Sequence, residues 1–188
     1  MNLQKYEKMR GVVERYHEGQ YRNKDKDSPY RLHCEAVALL VKELLEQTGE
    51  YDDNADDIVL AALGHDLYED TSADRDFIRK EFGEHVDELI FQLTNEEDDL
   101  HRDKYMQKIH LASDEVILIK LADMIENMNS VFYNRDVLGQ EWVDTFFLPI
   151  MNDYLPNLRD KKFTSYAQTG NSLLAYMKAS YSTLTQIR

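Results

Sequence analysis

The sequence predicts an all-α protein. Three observations carry that expectation: apolar residues recur at helical spacing along most of the chain, no stretch reads convincingly as a strand, and glycine, proline or polar breaks fall where each apolar period stops. The 188 residues suit one domain, spanning 1–188, with a core large enough to need no staples.

Leu3, Tyr6, Met9, Val13 and Tyr16 trace a first amphipathic helix that should end near Gly19. Residues 20–29 are polar and close on Pro29, which makes them a loop. A second helix, about Tyr30 to Gln47, places Ala36, Val37, Leu40, Val41, Leu44 and Leu45 on one face and stops at Gly49. The apolar run Ile58 to Leu63 predicts a partner helix over about 55–68. Thr71 and Ser72 are then expected to cap a short helix from about Asp74 to Phe82, which Gly83 separates from another carrying Val86, Leu89, Ile90 and Leu93.

A very polar stretch, Asn95 to Asp103, leads into a helix around Tyr105 and Ile109. Ser113 should cap the most apolar helix of the chain, from Val116 through Met128, whose length favours a helix over a buried strand. After Gly139, a helix from Trp142 to Tyr154 is expected to bend at Pro149, and a terminal helix carries Leu173, Met177, Tyr181 and Leu184. These helices over 140–188 are taken as part of the same domain. Trp142, Phe146, Phe147 and the tyrosine-rich last helix suit either core or interface, which leaves a homo-oligomer open.

Net charge is −14, with −18 carried by residues 1–158 and +4 from Arg159 onwards. Affinity for nucleic acid comes mainly from phosphate neutralisation by Lys and Arg, so a nucleic-acid surface is not expected. A small phosphorylated substrate stays compatible, because a metal and a few placed cations can bind an anion within an acidic body. No long uncharged apolar run or secretion signal is present, so the expectation is a cytoplasmic protein with no membrane partner. The lone Cys34 excludes an internal disulfide and a cysteine-rich zinc site, leaving His and carboxylate as the available metal ligands.

The densest chemistry lies in Gly64 to Thr71, where His65, Asp66, Glu69 and Asp70 follow directly on the apolar run. If the helix continued through them, His65 would stand over Glu69 and Asp66 over Asp70 on one surface able to grip a cation. A solvated acidic helix end would normally intersperse Lys or Arg. His33, taken alone, reads more readily as a satisfied core or boundary histidine than as a ligand. Asp123 is different, because it follows seven mostly apolar residues and an unpaired buried carboxylate is costly. A salt bridge to Lys120 is the plain structural account of it, and Asn127 shares its face.

His33, His65-Asp66 and Asp123, separated by 31 and 56 residues, resemble in order and type the HD-domain metal-dependent phosphohydrolases. The surrounding segments narrow the likeness. His17-Glu-Gly-Gln-Tyr-Arg22, Pro29-Tyr-Arg-Leu-His33, His65-Asp-Leu-Tyr-Glu-Asp-Thr71, Phe82-Gly83 and Lys120-Leu-Ala-Asp-Met-Ile-Glu-Asn127 resemble, in family order across about 13–130, the alarmone hydrolase domain of the RelA/SpoT family and its free-standing small relatives.

The resemblance implies a helical fold holding one divalent ion, usually manganese, and removal of pyrophosphate from the 3′ position of guanosine tetra- or pentaphosphate. By the same resemblance His33, His65, Asp66 and Asp123 match the metal ligands, and Glu69 and Asp70 the acidic pair that completes the catalytic site. Arg22 matches a residue packed on the purine, and Asn127 and Ser130 match positions touching the nucleotide. Lys24, with Lys26 and Arg31, is expected to lend positive field to the phosphates. Cys34 departs from the family's usual proline and Met124 from a frequent basic residue, and neither departure removes a ligand. A hydrolase-only form is expected, since little chain follows residue 130. The alternatives are another HD-domain nucleotide phosphohydrolase, acting on a nucleoside monophosphate, a deoxynucleoside triphosphate or an adenine-based alarmone, and a non-catalytic nucleotide-binding regulator.

Overall fold

The computed structural model describes residues 1–22, 27–95 and 102–186. Among them there is no strand; an isolated antiparallel bridge joins Tyr21 to Pro29. Helices α1 (Leu3–Tyr16), α2 (Arg31–Thr48), α3 (Ala55–Leu63), α4 (Leu67–Asp70), α5 (Arg75–Phe82), α6 (Glu84–Leu93), α7 (Arg102–Leu111) and α8 (Asp114–Tyr133) follow one another, and α9 (Arg135–Leu138), α10 (Gln140–Trp142), α11 (Leu148–Leu158) and α12 (Ala167–Gln186) complete the chain. None of the described helices is long and apolar enough to cross a membrane.

Helix α8 is the axis of the fold. Ser113 caps it by accepting from the Val116 amide, as its position in the sequence predicts. Val116 to Ile119, Leu121, Ala122, Met124 and Ile125 are buried on nearly every side, because α2, α3, α6, α7 and α12 all pack against this helix. Polar side chains in its central stretch, such as Asp123, therefore point into protein unless a cavity receives them.

Helix α2 stops where expected, with Gly49 at φ 72° as a left-handed cap that only glycine adopts without strain. Its buried face is rotated from the predicted one: Cys34 and Ala38 are buried, Leu40 is half-buried and Ala36 is exposed. The helix turns its His33 side inward, against α3 and α8.

The predicted helix over 55–68 does not form as one piece. It ends at Leu63, residues 64–66 make a turn, and α4 is a separate single turn. The break falls at Gly64, a residue poorly suited to continue a helix, and the surroundings leave room for no side chain there: a Cβ would lie 2.9 Å from Ile90 Cδ1 and 3.1 Å from Leu67 Cδ1. The turn re-aims His65 and Asp66.

The cap of α5 is Asp74, which accepts from the Asp76 amide, and neither Thr71 nor Ser72 takes that role. Thr71 instead donates to the Leu67 carbonyl and accepts from the Ala73 amide. The predicted bend at Pro149 takes the form of a π-turn, Val143–Phe147, immediately before it. Proline lacks an amide hydrogen and collides with the carbonyl four residues back, and the wider turn accommodates both. Phe147 is core, while Trp142 and Phe146 remain exposed at 36% and 50%. Most of the polar stretch 95–103 lies outside the described residues.

Candidate functional site

His33 on α2, His65 and Asp66 in the turn after α3, and Asp123 on α8 converge at the floor of a cavity of about 290 Å³. Tyr30, Glu69, Asp70, Leu93, Lys120 and Asn127 complete its lining. His33 Nε2 lies 3.2 Å from His65 Nε2, 3.3 Å from Asp123 Oδ1 and 3.5 Å from Asp66 Oδ2. His65 Nε2 lies 3.1 Å from Asp66 Oδ2 and 3.7 Å from Asp123 Oδ1. His33, His65 and Asp66 form a group able to hold a metal ion.

The hydrogen-bond partners behind the rings fix what they present. His65 Nδ1 is 2.9 Å from the Ala62 carbonyl, which can only accept, so Nδ1 carries the proton. His33 Nδ1 faces the Glu126 carboxylate and donates for the same reason. In their neutral forms both Nε2 atoms then aim lone pairs at one another and at two carboxylate oxygens. His33, His65 and Asp66 bring ligand atoms within 4.8 Å of one another, and Asp123 Oδ1 stands beside the two imidazoles but outside that group. Electron-pair donors so gathered repel unless a cation or protons sit among them.

The titration behaviour expresses that demand. Burial opposes charge on His65, but Asp66 and Asp123 outweigh it and push its pKa up to about 9. Burial likewise opposes charge on His33, while Asp123, Asp66 and Glu126 raise it well above the ordinary value. Burial would raise the two aspartates, yet His65 and His33 hold Asp66, and Lys120 with both imidazoles holds Asp123, well below the carboxylate range.

The donor set fits a divalent ion. Ligand atoms in adjacent positions around an ion with bonds of about 2.1 Å are about 3.0–3.4 Å apart, and three of the five separations above, 3.1 to 3.3 Å, fall in that window. Two imidazoles with carboxylates suit manganese, iron, zinc or nickel alike.

Glu69 and Asp70 stand at the rim of the cavity. The Asn95 amide donates to Glu69 Oε2 at 2.8 Å. Burial raises the pKa of both carboxyl groups, and the neighbouring carboxylate Asp66 adds to the effect. Tyr30 donates to Asp66 Oδ2 at 2.8 Å, and its own pKa, raised by burial and by Asp66, keeps the phenol a donor. Lys120 donates to Asp123 Oδ2 at 2.9 Å, so the salt bridge foreseen for Asp123 exists. It occupies one oxygen and leaves Oδ1 facing the imidazoles.

The expected nucleotide contacts divide. Asn127 lines the cavity and donates to Asp123 Oδ1. Arg22 sits beside it, its Nη2 donating to Glu126 Oε2 at 2.9 Å and to Asn127 Oδ1 at 2.8 Å, with the guanidinium 5.6 Å from the Tyr30 ring centre. Main-chain bonds from Arg22 to Ser28 and from Tyr30 to Gln20 fasten the base of the loop that carries it. Lys24 and Lys26 lie outside the described residues. Ser130 is half-buried on α8 and is not among the cavity-lining residues. Arg31 turns away, pairing with Glu35 at 2.7 Å and Glu14 at 3.5 Å, so it adds no direct contact to the cavity.

Glu126 and Tyr30 are the residues whose roles sequence reasoning missed. Glu126 lies three residues after Asp123, a spacing that puts it near the same helix face and was open to being read as a ligand partner. Tyr30 precedes α2 and gave no periodic signal.

The family model described as HD domain matches residues 10–146. The guanosine-3′,5′-bis(diphosphate) 3′-pyrophosphohydrolase of Borreliella burgdorferi is 28% identical over 148 residues, covering 72% of this chain and 21% of the relative. The protein of the same name from Haemophilus influenzae is 32% identical over 124 residues, covering 61% and 17%. A GTP pyrophosphokinase of Streptomyces antibioticus is 31% identical over 142 residues, covering 70% and 15%. The chain thus spans about a fifth or less of these relatives' lengths. A solved structure described as a metazoan ortholog of SpoT that hydrolyzes ppGpp superposes with a TM-score of 0.72 at 24% identity, covering 95% of this chain and 94% of that one. That likeness concerns the fold, and it extends past the family match into the C-terminal helices.

Proposed function

The chain belongs to the HD domain family, and from that premise we propose that it is a metal-dependent hydrolase releasing pyrophosphate from the 3′-diphosphate of guanosine tetra- and pentaphosphate. The observation that carries the reading is the convergence of His33, His65, Asp66 and Asp123 beneath the acidic pair Glu69 and Asp70 in one polar cavity. The relatives named for this activity support it.

In this reading His33, His65, Asp66 and Asp123 hold one divalent ion, with manganese the ion proposed, and residues 1–188 act as one catalytic domain. A bound ion supplies Lewis acidity toward a water molecule and a phosphate oxygen. The protein's own groups do the rest. Glu69, held through Oε2 by the Asn95 main-chain amide, or Asp70 takes the proton of the attacking water while the other orients it, and burial raises the pKa of both. Water oxygen bonds to the phosphorus attached to the 3′ oxygen, that P–O bond breaks, and the freed 3′ oxygen receives a proton. Asn127 and Lys120 are placed to meet phosphate oxygens on the α8 side, and Arg22 to pack on the base.

Incubation of the manganese-loaded protein with guanosine tetraphosphate is expected to yield GDP and pyrophosphate. Absence of both products sinks the proposal. A second reading keeps the site and changes the nucleotide. It is favoured by Arg31, which pairs with Glu14 and Glu35 and so narrows the positive field expected for the phosphates. A panel of nucleotides, read for cleavage at the 3′-diphosphate against a terminal phosphate, separates the two.

A further inference from the structure

Glu126 is a carboxylate outside the expected ligand set, yet it touches both halves of the site. Its Oε2 accepts from His33 Nδ1 and, on the same oxygen, from Arg22 Nη2. Arg22 Nη2 also donates to Asn127, whose amide donates to Asp123 Oδ1. A single guanidinium is therefore bound to two neighbours on one turn of α8, each of which grips one expected metal ligand. The pair is well shielded, with 16% of the Arg22 and 22% of the Glu126 side chain exposed, so it is not a loose surface contact.

We propose that Glu126 is a positioning residue that makes metal affinity answer to Arg22. The inference rests on the reading of His33, His65, Asp66 and Asp123 as a cation site. A carboxylate behind a ligating imidazole fixes its tautomer and strengthens its lone pair. Arg22 draws on the same oxygen and so weakens that support. When Arg22 leaves Glu126 for a nucleotide base, the carboxylate serves His33 alone and the ion is held more tightly. Linkage then requires the converse, that a bound ion favours nucleotide binding by the same factor.

The test uses manganese alone, titrated calorimetrically into the wild type, Glu126→Gln, Arg22→Ala and the double variant, without nucleotide. Glu126→Gln is expected to raise the manganese Kd about 10–100-fold. Arg22→Ala is expected to lower it at least about threefold in the wild-type background and to leave it unchanged in the Glu126→Gln background. In the zinc-loaded protein the His33 Nδ1 proton should resonate far downfield and move upfield in Glu126→Gln, a change that loss of packing alone does not produce. If circular dichroism shows that Glu126→Gln folds poorly, Glu126→Asp, which keeps the charge and withdraws the oxygen by one methylene, takes its place with the same expected direction. Equal manganese affinity of wild type and Glu126→Gln, or an Arg22→Ala effect identical in both backgrounds, overturns the proposal while leaving the hydrolase reading intact. A wild type that binds no divalent ion removes the site reading itself, and this inference with it.

Discussion

Asp87 and Asp123 are both carboxylates sunk into the helical body, at 1% and 7% exposure, and their surroundings differ in one respect. Around Asp87 the protein supplies every partner. Arg75 and Arg79 each donate two hydrogen bonds, Tyr68 donates a fifth, and Arg75 is stacked 3.7 Å from the centre of the Phe91 ring. Burial raises the Asp87 pKa, but these donors bring it below its ordinary value. This closed cluster joins α4, α5 and α6. Around Asp123 the protein supplies one ammonium at Oδ2 and one amide at Oδ1, and sets two imidazole Nε2 atoms opposite Oδ1. The first cluster is complete as folded, whereas the second is arranged for a charge from outside. Burial of a carboxylate therefore does not mark function by itself; what marks it is a set of donors whose partners are missing on one side.

Substitution separates the two clusters most sharply at the ligands. If the proposed function holds, His65→Ala or Asp66→Ala is expected to abolish stoichiometric manganese binding and to cut the proposed alarmone hydrolysis by more than the about 10–100-fold typical of outer partners, with helicity retained by circular dichroism. Glu69→Gln should lower kcat by about 10²–10⁴-fold while calorimetry finds the manganese affinity unchanged, and a matching loss of metal would move Glu69 from proton handling to ligation. Asp87→Ala should do the opposite, destabilising the fold by about 3 kcal/mol in urea while leaving the metal stoichiometry intact. The lower end of the usual range applies because Arg75 and Arg79 keep 32% and 45% of their surface in solvent.

The smallest effect concerns a third carboxylate. Asp114 accepts from the Thr164 and Ser165 amides and the Thr164 hydroxyl, and pairs with Lys161, which ties the start of α8 to the segment before α12. Burial raises its pKa, but those donors carry it down to about 2 from an ordinary 3.8. A depressed folded-state pKa stabilises the protein above the unfolded value, and that contribution is lost as pH falls through the folded one. Between pH 4 and pH 2 the wild type should lose about 2 kcal/mol that Asp114→Asn does not, measured by urea unfolding at each pH. Parallel pH profiles for the two would contradict it.

The helical periods of α2, α6 and α12 are legible in the sequence because burial on one face leaves a repeating trace, and α8, buried nearly all round, is legible by the length of its apolar run. The break after α3 is not, since Ile58 to Leu63 are all buried and leave no periodic phase by which to place the end of the helix. The same limit applies to the site. His65, Asp66 and Asp123 stand out as polar groups inside apolar runs, which is a local signal. His33 becomes conspicuous only when the distant segments are read together. The spacing of Glu126 from Asp123 is visible in the sequence, but what it does is not until α2 and the loop carrying Arg22 are folded against α8, because its two contacts lie 93 and 104 residues away. Arg31 misleads for the same reason: its charge is evident in the sequence, and its neutralisation by Glu14 and Glu35 is not.

The two imidazoles at the floor of the cavity are oriented by different kinds of acceptor. His65 leans on the Ala62 carbonyl, one of the last on α3, left without a helical donor because the helix stops. His33 leans on a side chain. No single amino-acid replacement deletes a carbonyl, so the orientation of His65 is heritable with the backbone path itself. That of His33 is open to mutation at one codon, and on the proposed reading it is there that drift or selection can retune the grip on an ion without touching any of the proposed ligands.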